Sequence, residues 1–300
     1  MLNPAFSREL ELESKNYILS QKIISQLVIN KNFNTGFELR LQKIYGDELW
    51  LKLKSLGLGN LNLEDKDILD IACGTGFLSY HLLSRVRPKS LTLLDISKDE
   101  INEAKKLLEQ FKNKTSLDFF VADATKMNFP DDSFDVVIGN SFLHHFYNLP
   151  LAIEEFKRIL KPGGLFITLH EPTIASLALE SRNPKNTFLY IVKGDAYIDY
   201  FRHKGEGVAL GQGGDVWMFK EKELVELFKW AGFNNLKIDY WHFLRAKIVA
   251  TFGLWLSEKK PRLNFLERIL LRIGIYFDLN FKEIFPKKFF SSIVLLAQKS

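Results

Sequence analysis

The stretch Ile68–Ser79, ILDIACGTGFLS, decides how this chain is read. Ile68, Leu69 and Ile71 form the short apolar run of a strand buried on both faces of a parallel sheet. Gly74 and Gly76 follow; without Cβ they can take a positive φ and let a ligand approach the backbone. Phe77, Leu78, Leu82 and Leu83 then recur at helical spacing, and Pro88 breaks the pattern. Strand, glycine turn and helix in that order point backbone N–H groups and a helix N-terminus at a bound nucleotide.

Two cofactor chemistries use that geometry. A dinucleotide fingerprint would place a third glycine or alanine where Ser79 stands. Asp70, at the strand's end, would repel a pyrophosphate but attract the ammonium of an amino acid. The pattern D-x-A-C-G-T-G therefore suits S-adenosyl-L-methionine, which has a cationic methionine part and no phosphate. Two further apolar runs end in carboxylates, LTLLD at Asp95 and LDFFVAD at Asp123. Asp95, about 20 residues beyond the glycines, can accept both ribose hydroxyls. Asp123 can accept the adenine amine. Each alone could equally be a helix cap or a loop aspartate. Ligands of open α/β sheets bind outside the carboxyl ends of the strands, so Asp70, Asp95 and Asp123 would converge on one crevice.

The run from Asp67 to Pro172 resembles the core of the class I S-adenosylmethionine-dependent methyltransferases, in the type 11 group that includes ubiquinone-biosynthesis enzymes. In order it shows DIACGTG, LLDIS, FVADATKMNFPDDSFDVVIGNSFLHH and LKPGGLFITLHEP; later WAGF and SSIVLLAQK resemble the end of the same fold. The resemblance covers about half the chain. It implies a doubly wound, mostly parallel seven-stranded α/β sheet of the Rossmann-like type, with Ser291–Gln298 as its antiparallel last strand. It also implies that Asp70, Ala72, Cys73, Gly74, Thr75 and Gly76 hold the methionine part of the cofactor and that Asp95 and Ile96 hold the ribose. Asp123 and Ala124 would flank adenine, with Asn140 beneath the cofactor, and no metal is expected. Ala72 departs from the family, many of whose members have glycine there.

Composition agrees with a globular protein. Apolar and charged content is ordinary for 300 residues, and the single Cys73 excludes a disulfide framework. The N-terminal MLNPAFSRELELESK lacks the apolar core of a signal peptide, and no uncharged apolar run reaches the ~18–20 residues of a membrane span. A cytoplasmic protein is expected. Residues 1–60 carry helical spacing (Leu10, Tyr17, Ile18, Ile24, Leu27, then Leu39 to Leu53) and read as a helical N-terminal cap. Residues 61–172 form the cofactor-binding core. The block 173–218, aromatic and then glycine-rich, is a candidate substrate lid. Residues 219–300 return to the core, interrupted at 244–288 by a helical basic insert.

Net charge is only +5, yet residues 259–300 hold nine Lys and Arg against three Asp and Glu. Packed helix with a solvated basic face is one account of that tail, and peripheral contact with an anionic membrane is another. No RNA-binding module is visible, which argues against nucleic acid. Asn140–Ser141–Phe142–Leu143 lacks the Asn/Asp-Pro-Pro-Tyr of adenine N6-methyltransferases. His144 and His145 follow it, and His170 and Glu171 follow the fifth strand; these four are the candidates for a general base. The resemblance thus points to methyl transfer to a small-molecule acceptor, a hydrophobic one among the candidates, at oxygen or carbon. The rivals are a methyltransferase acting on RNA or protein through its basic tail, and a silent cofactor-fold subunit.

Overall fold

The computed structural model describes residues 46–58, 63–146, 148–173, 175–176, 218–252 and 264–300. Most of the expected helical cap and nearly all of the expected lid lie outside the described residues. Residues 46–55 are helical (α1) and precede β1, Asp67–Ile71. The chain then alternates through α2, Phe77–Leu83; β2, Ser90–Asp95; α3, Lys98–Leu108; β3, Ser116–Val121; and β4, Phe134–Asn140. It continues with α4, Leu149–Ile159; β5, Leu160–Pro172; α5, Glu221–Trp230; β6, Phe233–Trp241; α6, Leu244–Phe252; α7, Phe265–Phe281; and β7, Ser292–Lys299.

The strands form one seven-stranded sheet in the order β3-β2-β1-β4-β5-β7-β6. β7 runs antiparallel to both neighbours and the other paired strands run parallel, so this is the doubly wound, mostly parallel sheet that the sequence predicts. Strand side chains alternate between two apolar layers. Leu69, Ile71, Val137 and Ile293 pack with α4 and α5 on one face; Ile68, Val136, Ile138 and Val294 pack with α1, α2 and α3 on the other. Phe156 of α4 stacks on Phe166 of β5 at 5.3 Å between ring centroids, both fully buried. Burying each ring contributes about 1.5–3 kcal/mol.

α4 ends at Ile159, Leu160 is already extended opposite Phe134, and pairing resumes at Leu165 opposite Val136. KPGG is therefore an interruption within a longer strand, with Gly163 at φ +73°. β3 is an edge strand and stops at Val121, two residues short of Asp123. α5 stops at Trp230, and Gly232 just beyond it adopts the left-handed φ of +82° that closes a helix. Ser97 caps α3, its hydroxyl accepting the Glu100 N–H at 3.3 Å.

Candidate cofactor site

β1 delivers its chain to the carboxyl edge of the sheet, and the turn beyond it alternates in backbone hand. Ala72, Gly74 and Gly76 all have positive φ (49°, 52° and 80°). The turn is tied to β2 by two bonds: Cys73 N–H donates to the Leu94 carbonyl at 3.1 Å, and Gly74 N–H donates to Asp95 Oδ2 at 2.9 Å. Asp95 Oδ1 accepts the Ser97 N–H at 2.8 Å. Backbone donors thus reach both oxygens of this carboxylate, which borders the crevice. Burial pushes the Asp95 carboxyl above its usual range, partly offset by those N–H groups.

Asp70 is nearly fully buried. Its Oδ2 accepts the Ser79 hydroxyl at 2.5 Å, whereas Oδ1 is buried with no protein partner. Burial pushes its pKa up to about 7, with the Ser79 bonds acting in the opposite direction. A buried carboxylate with one orphaned oxygen calls for a cation at that place. No residue fills the space over Gly74: a Cβ built there would meet only Glu100 Oε2, at 3.8 Å. These two features fit the ammonium and the close backbone approach that S-adenosylmethionine needs.

Both border a cavity of about 370 Å³. Ala72, Cys73, Thr75, Asp95 and Ile96 also line it; Asp123, Ala124 and Asn140 line its other side. Gly76 does not; it closes the turn as the N-cap residue just before α2. Asp123 is exposed, and its Oδ1 accepts both the N–H and the hydroxyl of Thr125 at 2.8 Å. The loop-turn role and the cavity-lining position therefore coexist in one residue. The sequence reading missed Ser79 as the partner of Asp70, and it missed Glu100, Phe142 and Phe146 on the cavity wall. A larger cavity, about 750 Å³, opens at the opposite end of the sheet beside Lys66, Lys161 and Gly163. Ligands of such sheets bind at the carboxyl ends, so the smaller cavity is the candidate.

The four base candidates separate. Glu171 is fully buried, and one of its oxygens accepts the N–H groups of Phe142 and Leu143, both at 3.1 Å. The other accepts the His144 N–H at 3.2 Å and faces His144 Nδ1 at 2.7 Å; Thr168 also donates to the carboxylate. Burial alone would raise the Glu171 carboxyl, but the His144 contact and the converging donors outweigh it and hold the pKa low. Glu171 and the buried His144 thus suspend the loop after β4 and do not line the cavity. His170, at φ +63°, lies outside the cavity lining, its ring 4.7 Å from that of His242. Burial first, then the neighbouring His242 and Lys52, keeps His170 neutral. His145 does line the cavity, packed against the His144 ring at 4.0 Å.

Residues 69–168 match a family model described as a methyltransferase domain. A probable phthiotriol/phenolphthiotriol dimycocerosates methyltransferase 2 of Mycobacterium ulcerans is 36% identical over 105 residues, 35% of this chain and 39% of that protein. A demethylmenaquinone methyltransferase of Leptospira interrogans is 33% identical over 138 residues, 46% of this chain and 53% of that protein. The chain therefore matches about half the length of these curated relatives or less. Among solved structures, a Haemonchus contortus phosphoethanolamine N-methyltransferase 2 in complex with S-adenosyl-L-methionine superposes with a TM-score of 0.54 at 17% identity. That superposition covers 84% of this chain and 52% of the other, and shows a shared fold.

Proposed function

We propose that this chain, which carries a class I S-adenosylmethionine-dependent methyltransferase domain, transfers a methyl group to a small hydrophobic acceptor at oxygen or carbon. The observation that carries the cofactor half is the orphaned, buried oxygen of Asp70 beside the open backbone of Gly74. S-adenosylmethionine supplies a methyl group on a cationic sulfur, ready for in-line displacement. Asp70 would hold its ammonium, Asp95 with Ile96 its ribose, and Asp123 with Ala124 its adenine, with Asn140 beneath. The acceptor half rests on the two curated relatives, named for menaquinone and phthiotriol methylation, and on the aromatic wall formed by Phe142 and Phe146.

The chain's own part in the reaction is mainly positional. Displacement at a sulfonium needs the acceptor atom held in line with the methyl, and orientation supplies most of the rate. His145, on the cavity wall, would remove the proton from a hydroxyl acceptor; an acidic carbon or a phenolate would need less help. Glu171 and His144 act through the loop that carries His145.

Titration calorimetry tests the cofactor assignment, with micromolar binding of S-adenosylmethionine and no binding of NAD as the expected result. Transfer of labelled methyl to a panel of quinols and phenolic lipids, beside RNA and protein acceptors, tests the acceptor class. Labelling of RNA or protein alone would replace the acceptor reading, and cofactor binding without any transfer would point to a silent subunit.

A further inference from the structure

We infer that the outer face of α7 is a docking surface for an anionic lipid bilayer. The helix is firmly placed. Asn264 and Glu267 form a reciprocal capping box at its start, with bonds of 2.8 and 2.9 Å. Its inner face carries the buried Leu271, Gly274 and Asp278, of which Gly274 and Asp278 meet α6. A Cβ on Gly274 would come within 2.9 Å of Arg245 Cα, so the two helices touch backbone to backbone. Asp278 is buried and accepts the N–H groups of Phe243, Leu244 and Arg245, at 3.1, 2.8 and 3.3 Å.

With that face fixed inward, the opposite one cannot be core. It nevertheless carries Leu266 (62% exposed), Ile269, Ile273 (51%) and Tyr276 (62%), at the three- and four-residue spacing of one helical stripe. Phe265 (74%) at the helix start and Ile284 (71%) in the turn after it are exposed as well. Soluble proteins rarely leave so continuous an apolar stripe in water. No described helix is long and apolar enough to cross a membrane, which fits lying on a surface.

Charge selects the occupant. Exposed Arg272 sits within the stripe, and Lys287 and Lys288 follow it on the surface, in a tail of residues 259–300 carrying +6. A second copy packed face to face would bring these like charges together. Residues 1–45, which lie outside the described part, hold six Lys and Arg against four Asp and Glu, a net charge of the same sign. An anionic lipid surface satisfies the apolar stripe and its basic flanks at once. The topology adds a reason for the contact. The α6–α7 segment leaves β6 and returns at β7, so it lies beyond the carboxyl ends of the parallel strands, at the same end as the cofactor cavity.

The test is co-sedimentation with phosphatidylglycerol–phosphatidylcholine vesicles and with phosphatidylcholine vesicles alone. The wild type should pellet with the anionic vesicles and much less with the neutral ones. Pelleting should fall steeply as salt rises, because the Debye length shrinks from ~10 Å at 0.1 M to ~3 Å at 1 M. An Ile269→Ser, Ile273→Ser, Tyr276→Ser triple variant, changed only at exposed positions, should bind more than about tenfold more weakly. Its circular dichroism and its affinity for S-adenosylmethionine should stay at wild-type values. Those two controls also separate this inference from the proposed methyl transfer, on which it does not depend. Absence of wild-type binding to the anionic vesicles, or unchanged binding by the triple variant, overturns it. So does a wild-type dimer in sedimentation velocity that the triple variant abolishes, which would make this face a contact between copies.

Discussion

At Asp70, ligand recognition and stability oppose each other. Its pKa in the folded chain is pushed up to about 7, well above the usual aspartate value of about 3.9. Between these values the unfolded chain has lost the proton that the folded chain keeps, so stability of the cofactor-free protein falls as pH rises through that window. The loss is on the order of 4 kcal/mol by the time Asp70 ionises in both states. A bound ammonium favours the ionised form, so S-adenosylmethionine affinity should weaken as pH drops below about 7. Asp70→Asn should raise the melting temperature of the cofactor-free protein near pH 8, and calorimetry should show cofactor affinity reduced more than about tenfold.

Gly74 and Asp95 make the same point from the backbone side. Valine at position 74 would take φ +52° at a cost of about 1–3 kcal/mol and fill the space above the turn. Circular dichroism should stay native while calorimetry shows no cofactor binding. Asp95→Ala should weaken binding ten- to hundredfold, about 1.5–3 kcal/mol. The structure adds a reason that the sequence did not hold, because that carboxylate also anchors Gly74 N–H. The aspartates and glycines were legible because they sit at strand ends marked by apolar runs. Their bonds to each other were not, since Asp95 and Gly74 are 21 positions apart and meet only through the register of β1 on β2.

Among elements, the loop after β4 depends on β5. Glu171 gathers three backbone N–H groups and His144 from a segment 27 to 29 residues earlier. No periodicity in the sequence predicts that: His-Glu beyond a strand reads equally well as a base at a site or as a buried anchor. Only the pairing of Asn140 with Leu169 decides that Glu171 turns inward. Its pKa is held low in the fold, so its stabilising contribution is full above the unfolded value near 4.3 and is lost as pH falls through the folded one. Glu171→Gln should destabilise the protein by about 1–3 kcal/mol in urea unfolding and lower turnover along with stability. His145→Ala should instead leave stability within roughly 0.5 kcal/mol, as a partly exposed side chain would, while slowing transfer to a hydroxyl acceptor. The reverse pattern, with turnover lost and stability kept in Glu171→Gln, would return the base role to Glu171.

Across the whole molecule, one buried ionic cluster ties the helix before β1 to the segment after β6. Glu48 of α1 accepts from Arg245 and contacts His242, and Lys52 one turn on lies 3.1 Å from the same carboxylate; all four side chains are buried. Burial alone would raise the Glu48 carboxyl, but Arg245, Lys52 and His242 outweigh it and hold it well below the usual range. His242 is pushed down to about 3 by burial, with Lys52 and Arg245 adding to the effect, so it is neutral at physiological pH. Nothing in the local sequence links Glu48 to positions almost 200 residues later; helical spacing gives α1 but not what it rests on. The energetics follow from the asymmetry of buried charge. The intact cluster adds little net stability because desolvation offsets attraction, whereas removing one member strands the rest. Glu48→Ala should therefore cost about 3–5 kcal/mol and lower cofactor affinity much less, since the cluster does not line the cavity. A Glu48→Met, Arg245→Leu, Lys52→Leu variant, apolar at all three positions, should recover most of that loss. Guanidinium unfolding of the single and triple variants checks both halves, and a triple variant no more stable than Glu48→Ala would show that the attraction outweighs desolvation here.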